Sequence, residues 1–377
     1  MSSNDLRLDR FEFQELRIPF KMAFRHAAAE RSSTETAWID AITTDGAIGS
    51  GESCPRAYVT GETLASARAF LLRHQPSIRQ SITGLDALRA WVSEHEAEID
   101  ANPAAWCAVE LAILDLLGKR HTVPLEALLS LPPLVAQQFR YSAVLGDASA
   151  TTFHAMAERY RLAGFTDFKV KLSGNVERDR DKMAVFDEWP GAGVRVRADA
   201  NNLWPDADGA IAGLRAIGYR FTAIEEPIGA NRHAELARVG DALNCAIILD
   251  ESFTRREQLA LLSEPRSQWL INVRVSKMGG VLRSLGVING ARALGVGIIV
   301  GAQVGETSLL TRAALAVASA AGEALVAQEG AFGTFLLEHD ICDPPLMFGN
   351  AGVLDAARHP MLARPGLGVA PSVKYRF

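Results

Sequence analysis

The chain is 377 residues long with a formal net charge of −5 and a pI near 6.0, and it carries no block of like charge that would attract nucleic acid. Its four cysteines, Cys54, Cys107, Cys245 and Cys342, stand singly without CxxC spacing, which argues against a zinc site or a disulfide framework and fits a reducing cytoplasm. No apolar leader follows Met1, and the apolar stretch from Leu309 to Ala327 is interrupted by Arg312 and Glu323, so neither a signal peptide nor a membrane span is expected.

A single core rarely serves so long a chain, and the pattern changes near residue 135. Residues 1–135 read as an α+β domain. Leu16–Phe20, Ala37–Thr43 and Ala47–Gly51 alternate or cluster like antiparallel strands, with Asp45-Gly46 as a hairpin turn. Helical patterns follow at Thr63–Arg73, Gly84–Ala97 and Ala104–Gly118. The glycine-rich run Gly46–Gly51 leads into no helix, which argues against a phosphate loop, and His95-Glu96 lacks the second histidine of a zinc-protease helix.

Over residues 136–345, short β-branched runs alternate with helical patterns, the signal of parallel strands joined by crossover helices. The runs are Phe139–Leu145, Phe168–Leu172, Val194–Asp199, Thr222–Pro227, Ala246–Asp250, Leu270–Lys277, Gly297–Gln303 and Ala324–Glu329. Eight such units predict a (β/α)8 TIM-type barrel under the N-terminal α+β capping domain, with residues 346–377 returning to pack on the cap. Lys171, Asp199, Glu225, Asp250 and Lys277 recur near the strand ends at intervals of 28, 26, 25 and 27 residues. The C-terminal end of the strands is where such a barrel keeps its active site. Strands four apart face each other across the mouth, so Lys171 on the second strand opposes Lys277 on the sixth, with three carboxylates in the arc between them.

Three carboxylates on neighbouring strands, with no histidine or cysteine among them, suit a hard divalent cation such as Mg²⁺. Asn201 shares a strand face with Asp199 and reads as its supporting partner. Arg195 and Arg197 share that parity, either neutralising barrel carboxylates or forming a buried ion-pair layer. Lys169 and Lys171 also share a face. Mutual repulsion, desolvation and a nearby metal ion should lower their pKa toward the range of a general base. Together these groups suit removal of the α-proton of a metal-bound carboxylate substrate through an enediolate, with the opposed lysine returning a proton to the other face. A Schiff-base aldolase barrel is the competing reading, but it leaves the carboxylates unexplained.

The motifs Lys169-Val170-Lys171, Asp199-Ala200-Asn201, Glu225-Glu226-Pro227, Asp250-Glu251-Ser252 and Lys277-Met278-Gly279-Gly280 resemble, in order and spacing, the muconate lactonizing enzyme subgroup of the enolase superfamily. The resemblance implies Asp199, Glu225 and Asp250 as Mg²⁺ ligands, with Mn²⁺ able to substitute. It implies Lys171 and Lys277 as the acid/base pair, Lys169 as an electrostatic helper, and Glu251 beside the metal set. It selects Glu225 over Glu226, which parity leaves open. The expected activity is racemisation or epimerisation of an amino-acid derivative in a cytoplasmic homo-oligomer. Cycloisomerisation and syn-dehydration, of the muconate cycloisomerase, o-succinylbenzoate synthase or hydroxyproline dehydratase type, use the same apparatus. Substrate contacts are expected from Phe24 and Tyr58 of the cap and from Gln303, Glu306, Gln328 and Glu329 of the last two strands. Two departures narrow the reading. Gly297–Glu306 lacks the histidine base of mandelate racemase relatives, and Gln328-Glu329-Gly330 stands where many dipeptide epimerases carry Asp-x-Asp, which weakens a dipeptide substrate unless Glu329 meets its amino group.

Overall fold

The computed structural model describes residues 5–26, 29–189, 193–369 and 371, with the side chains of residues 22–30 outside the description. In the N-terminal domain, β1 (Leu8–Leu16), β4 (Thr36–Thr43) and β5 (Ile48–Ser53) form an antiparallel sheet in the order β1-β4-β5, and β2 (Pro19–His26) pairs with β3 (Ala29–Ser33). The expected turn at Asp45-Gly46 joins β4 to β5, closed by Thr43 N–H on the Ala47 carbonyl at 3.0 Å. The run expected as a strand at Leu16–Phe20 is instead the junction of β1 and β2. The alternation in β1 is masked by charged residues on its exposed side.

Helices α1 (Leu64–Ser81), α2 (Leu85–Glu94), α3 (Glu96–Ala101), α4 (Pro103–His121) and α5 (Leu125–Leu129) complete this domain. The first helix continues beyond Arg73 through Pro76, and the second pattern breaks at His95 into two helices. α4 is buried on every face from Pro103 to Gly118 because it lies between β5 and the barrel. A Cβ on Gly49 would stand 2.2 Å from the Ala112 carbonyl and one on Gly51 1.9 Å from that of Ala108. The glycine-rich run therefore exists to let α4 lie against the strand.

The barrel strands are β7 (Ala143–Leu145), β8 (Asp167–Lys171), β9 (Arg195–Asp199), β10 (Ala223–Glu225), β11 (Ala246–Leu249), β12 (Trp269–Val273), β13 (Gly297–Val300) and β14 (Leu325–Gln328). They form one parallel sheet in chain order, and Ser142 N–H donates to the Gln328 carbonyl at 2.8 Å, joining the first edge to the last. Crossover helices include α6 (Ala150–Leu162), α7 (Val176–Asp187), α8 (Ala207–Ile217), α9 (His233–Leu243), α11 (Val281–Ala293) and α12 (Ser308–Ala321), with the short α10 (Val275–Met278) before α11.

The first expected strand, Phe139–Leu145, divides. Gln138–Arg140 (β6) leaves the barrel to pair antiparallel with β15 (Val353–Asp355), and only Ala143–Leu145 joins the parallel sheet. Farther on, Leu125 N–H bonds the Gly366 carbonyl at 3.0 Å and Leu367 N–H bonds Asp115 Oδ1 at 2.8 Å, which ties the C-terminal segment to α4 and α5.

Inside the barrel the inward-facing side chains divide by arc. Ala223, Ile248, Leu270, Ile299 and Ala327 form a small apolar cluster, whereas Asp167, Lys169 and Arg197 place buried charge on β8 and β9. Among the described residues, no helix is long and apolar enough to cross a membrane.

Candidate active site

Lys171, Asp199 and Glu225 end their strands, and Asp250 follows β11 by one residue, so all four side chains reach the mouth. Lys277 departs from expectation. It lies beyond β12 on the four-residue helix α10, whose left-handed C-cap is Gly279. The chain turns there before α11, and the lysine reaches the mouth from that turn.

Each lysine meets an outer member of the carboxylate row. Lys171 Nζ lies 3.0 Å from Asp199 Oδ2 and 2.7 Å from Asn201 Oδ1. Lys277 Nζ donates to Asp250 Oδ1 at 2.8 Å and to the Asp250 carbonyl at 2.7 Å. Lys169 lies below and between, with Nζ 3.3 Å from Asp199 Oδ2, 2.7 Å from Glu225 Oε2 and 3.1 Å from Glu329 Oε2. Glu226, the neighbour that parity could not exclude, turns away and accepts hydrogen bonds from Asp250 N–H, Ser252 N–H and the Ser252 hydroxyl.

The electrostatics correct one expectation. Burial alone would lower the Lys169 pKa, but Asp199, Glu225 and Glu329 outweigh it and hold the ammonium well above its usual range. Lys277, which that expectation did not include, is lowered, because burial together with nearby Arg274 outweighs the pull of Asp250. Glu225 is pushed up to about 8 by burial, with Asp199, Glu329 and Asp250 adding to the shift against the pull of Lys169. Its Oε2, although 2.7 Å from Lys169 Nζ, is buried without a well-directed hydrogen bond.

Sequence reasoning overlooked Arg274. Its guanidinium pairs with Asp250, stands 3.8 Å from Glu225 Oε1 and donates to Gln303 Oε1 at 3.1 Å. A lone cation closing an apolar strand was the available signal. Among the described residues, no three His, Cys, Asp or Glu side chains converge closely enough to hold an ion as they stand, because Lys169 and Arg274 bridge the row. The chemistry of the donors nevertheless fits a hard cation: three carboxylates, all oxygen, with Oε2 of the central one buried outside any well-directed hydrogen bond.

Of the residues expected to contact substrate, Gln303 is buried on Arg274, and the half-buried Glu306 accepts from Gln303 N–H at 2.6 Å. Burial pushes the Glu306 carboxyl up to about 8. Gln328 is buried beside the barrel seam, and its Nε2 makes no hydrogen bond. Glu329 spends one oxygen on Lys169 and the other on Arg197 Nη1 at 2.8 Å. Arg197 also reaches Ser142 Oγ at 2.6 Å and Asp167 Oδ1 at 2.9 Å, completing a buried ionic layer. Tyr58 is half-buried under the Arg31 guanidinium, 5.9 Å from the ring centre, while the Phe24 side chain lies outside the described residues. Glu251 is half-buried at the rim, raised by burial and by Asp250.

A capped (β/α)8 barrel with its charged groups gathered at the strand ends is the architecture of the enolase superfamily. Residues 152–375 match the Enolase C-terminal domain-like family and residues 9–130 match the mandelate racemase / muconate lactonizing enzyme N-terminal domain, so the chain belongs to the mandelate racemase/muconate lactonizing enzyme family. The hydrophobic dipeptide epimerase of Enterococcus faecalis is 27% identical over 320 residues, 84% of this chain and 88% of that protein. The dipeptide epimerase of Cytophaga hutchinsonii, solved with Mg and the dipeptide D-Ala-L-Val, superposes with a TM-score of 0.84 at 22% identity, covering 98% of this chain and 97% of that one. The N-succinyl Arg/Lys racemase of Bacillus cereus superposes at 0.81 and 22% identity, covering 98% and 96%. These relatives are isomerases, and the two superpositions show the shared fold.

Proposed function

We propose that the protein is a Mg²⁺-dependent racemase or epimerase of N-acylated α-amino acids. The observation that carries this reading is the pair of lysines, Lys171 and Lys277, at the two ends of the Asp199-Glu225-Asp250 row. Asp199, Glu225 and Asp250 would hold the cation, which when bound draws charge from a substrate carboxylate and makes the α-proton acidic. One lysine, as the neutral amine, takes that proton and becomes an ammonium. The other, entering as an ammonium, delivers a proton to the opposite face and leaves as the amine. Proton count is unchanged and the α-carbon is inverted. Lys169 stays charged and faces the electron density that accumulates when the α-proton leaves.

The relatives' names place an acyl group on the amino nitrogen in both cases, an amino acid in dipeptides and succinate in the N-succinyl substrates. Glu329 favours the second kind here. With both oxygens held by Lys169 and Arg197, it offers no free carboxylate to a substrate ammonium.

Incubation in D₂O with each enantiomer of N-acetyl and N-succinyl amino acids and of dipeptides tests the reading, with deuterium read at the α-carbon by NMR. Exchange should require added Mg²⁺ after chelation and should be fastest on substrates without an ammonium on the acyl arm. Exchange that persists in EDTA, or borohydride trapping of Lys171 or Lys277 on a carbonyl substrate, would overturn it in favour of a Schiff-base barrel.

A further inference from the structure

The turn that carries Lys277 is gripped from outside the barrel. Glu110 of α4 is fully buried, and its Oε1 accepts from Leu282 N–H at 3.0 Å in the first turn of α11, a helix whose own N-cap, Gly280, has no side chain to offer. On the other side of α10, Cys54 N–H at the end of β5 donates to Ser276 Oγ at 2.9 Å. Asp100 of the cap pairs with Arg283, whose Nε bonds the Met278 carbonyl at 3.0 Å. The two glycines after Lys277-Met278 explain themselves by the same approach. A Cβ on Gly279 would lie 2.9 Å from Ile99 Cγ2 and one on Gly280 2.3 Å from Glu110 Oε1, and both residues have left-handed φ, +79° and +99°. Beside Met278, a cleft of about 200 Å³ opens between α2, α3 and the barrel, while α10 itself is buried against α4 of the cap and against α11 and α12.

We infer that Glu110, with the Cys54–Ser276 hydrogen bond, is a positioning residue of the capping domain that fixes α10 and thereby sets the reach of Lys277, and not of Lys171. Lys171 has a separate support inside the barrel: its carbonyl accepts from Lys182 Nζ of α7 at 3.0 Å. The capping domain thus governs one of the two faces of proton transfer. A displacement of about 1 Å in a proton-transfer group is enough to slow a step by a hundred-fold, so loss of the grip should be visible in rate without loss of the fold.

This inference rests on the proposed roles of the two lysines, and the experiment separates the two. Lys171→Ala and Lys277→Ala first establish which enantiomer of an exchanging N-acyl amino acid each lysine deprotonates. Glu110→Leu is then expected to slow deuterium exchange of the Lys277 enantiomer by about ten- to a hundred-fold in kcat with little change in KM, and to leave the Lys171 enantiomer near wild-type. Glu110→Gln, which keeps the acceptor oxygen, should retain both rates. If Glu110→Leu does not fold, Ser276→Ala, which removes one hydrogen bond to the same helix, carries the test with the same asymmetry. Equal slowing of both enantiomers, or none of either, would overturn the positioning role while leaving the lysine assignment in place. Absence of exchange in the wild-type protein, with Mg²⁺ and either enantiomer, would sink that assignment and the inference together.

Discussion

The two arms of the mouth hold their lysines by different means. On the Lys171 arm the barrel supplies everything: the residue ends a strand, its carbonyl is held by Lys182, its ammonium by Asp199 and Asn201, and beneath it lies the ionic layer of Arg197, Asp167 and Glu329. On the Lys277 arm the inner layer below the mouth is the apolar cluster of Ala223, Ile248, Leu270, Ile299 and Ala327, the lysine sits past the strand on a single short helix, and the capping domain contacts that helix and the turn after it. Lys277 is also the more deeply enclosed, with a side-chain exposure of 0% against 12% for Lys171. A barrel end can thus place one lysine through its own hydrogen-bond ladder and hold the other at an interface.

The largest effect should come from removing the lysines themselves. Lys171→Ala is expected to reduce α-proton exchange of one enantiomer by about a hundred- to ten-thousand-fold and Lys277→Ala that of the other, the usual span for a general base. Exchange is followed from each enantiomer separately in D₂O. Loss of both together in each single variant would break the comparison, since it would mean that the arms do not act on opposite faces.

A second measurement sharpens the dependence of the Lys277 arm on the cap. Burial raises the Glu110 carboxyl from 4.5 to about 7. The folded state therefore binds this proton more tightly than the unfolded chain does. Relative to Glu110→Gln, wild-type stability should be greatest below pH 4.5, fall as the pH rises toward about 7, and level off above that. The whole swing is on the order of 3 to 4 kcal/mol, because each tenfold change in proton affinity corresponds to roughly 1.4 kcal/mol. Denaturant midpoints of the two proteins across this range check it. A difference that stays constant with pH would show that Glu110 is not desolvated at the interface.

How legible each arm was in the sequence follows from the same difference. Parallel strands are buried on both faces, so an ionisable residue at the end of a β-branched run has only the mouth to go to; spacing places Lys171 and Asp199, whereas choosing Glu225 over Glu226 takes the family resemblance. Lys277 kept the period but not the strand, because the β-branched Val273 and Val275 read as one continuous run, whereas the strand ends at Val273 and Val275–Met278 turns into a short helix. Glu110 meets Leu282 across 172 residues, and no local pattern marks such a contact. Similarly, Phe139–Leu145 looked like one strand because its two halves share composition. What divides them is tertiary: pairing with Val353–Asp355 on one side, and on the other the Ser142 hydroxyl accepting from Arg197. The fate of Glu329 was equally hidden, since Arg197 could be assigned the right face without revealing which carboxylate it would take.

The smallest effect tests whether the Lys171 arm is as self-sufficient as its contacts indicate. Asn201 has φ of +45°, so Asn201→Gly removes the Oδ1 acceptor without straining the backbone and preserves the N–H that bonds Asp199 Oδ1 at 3.2 Å. The lost hydrogen bond, 2.7 Å to a partly exposed ammonium, should weaken the positioning of Lys171 by about 1 kcal/mol. That corresponds to a roughly five-fold lower kcat for the enantiomer Lys171 serves. The other enantiomer, whose proton leaves to Lys277, should exchange at the wild-type rate. A drop shared by both would place Asn201 with the carboxylates proposed to hold the cation, because a defect in holding Mg²⁺ must affect both faces equally, and a Mg²⁺ titration would then show the weaker binding directly.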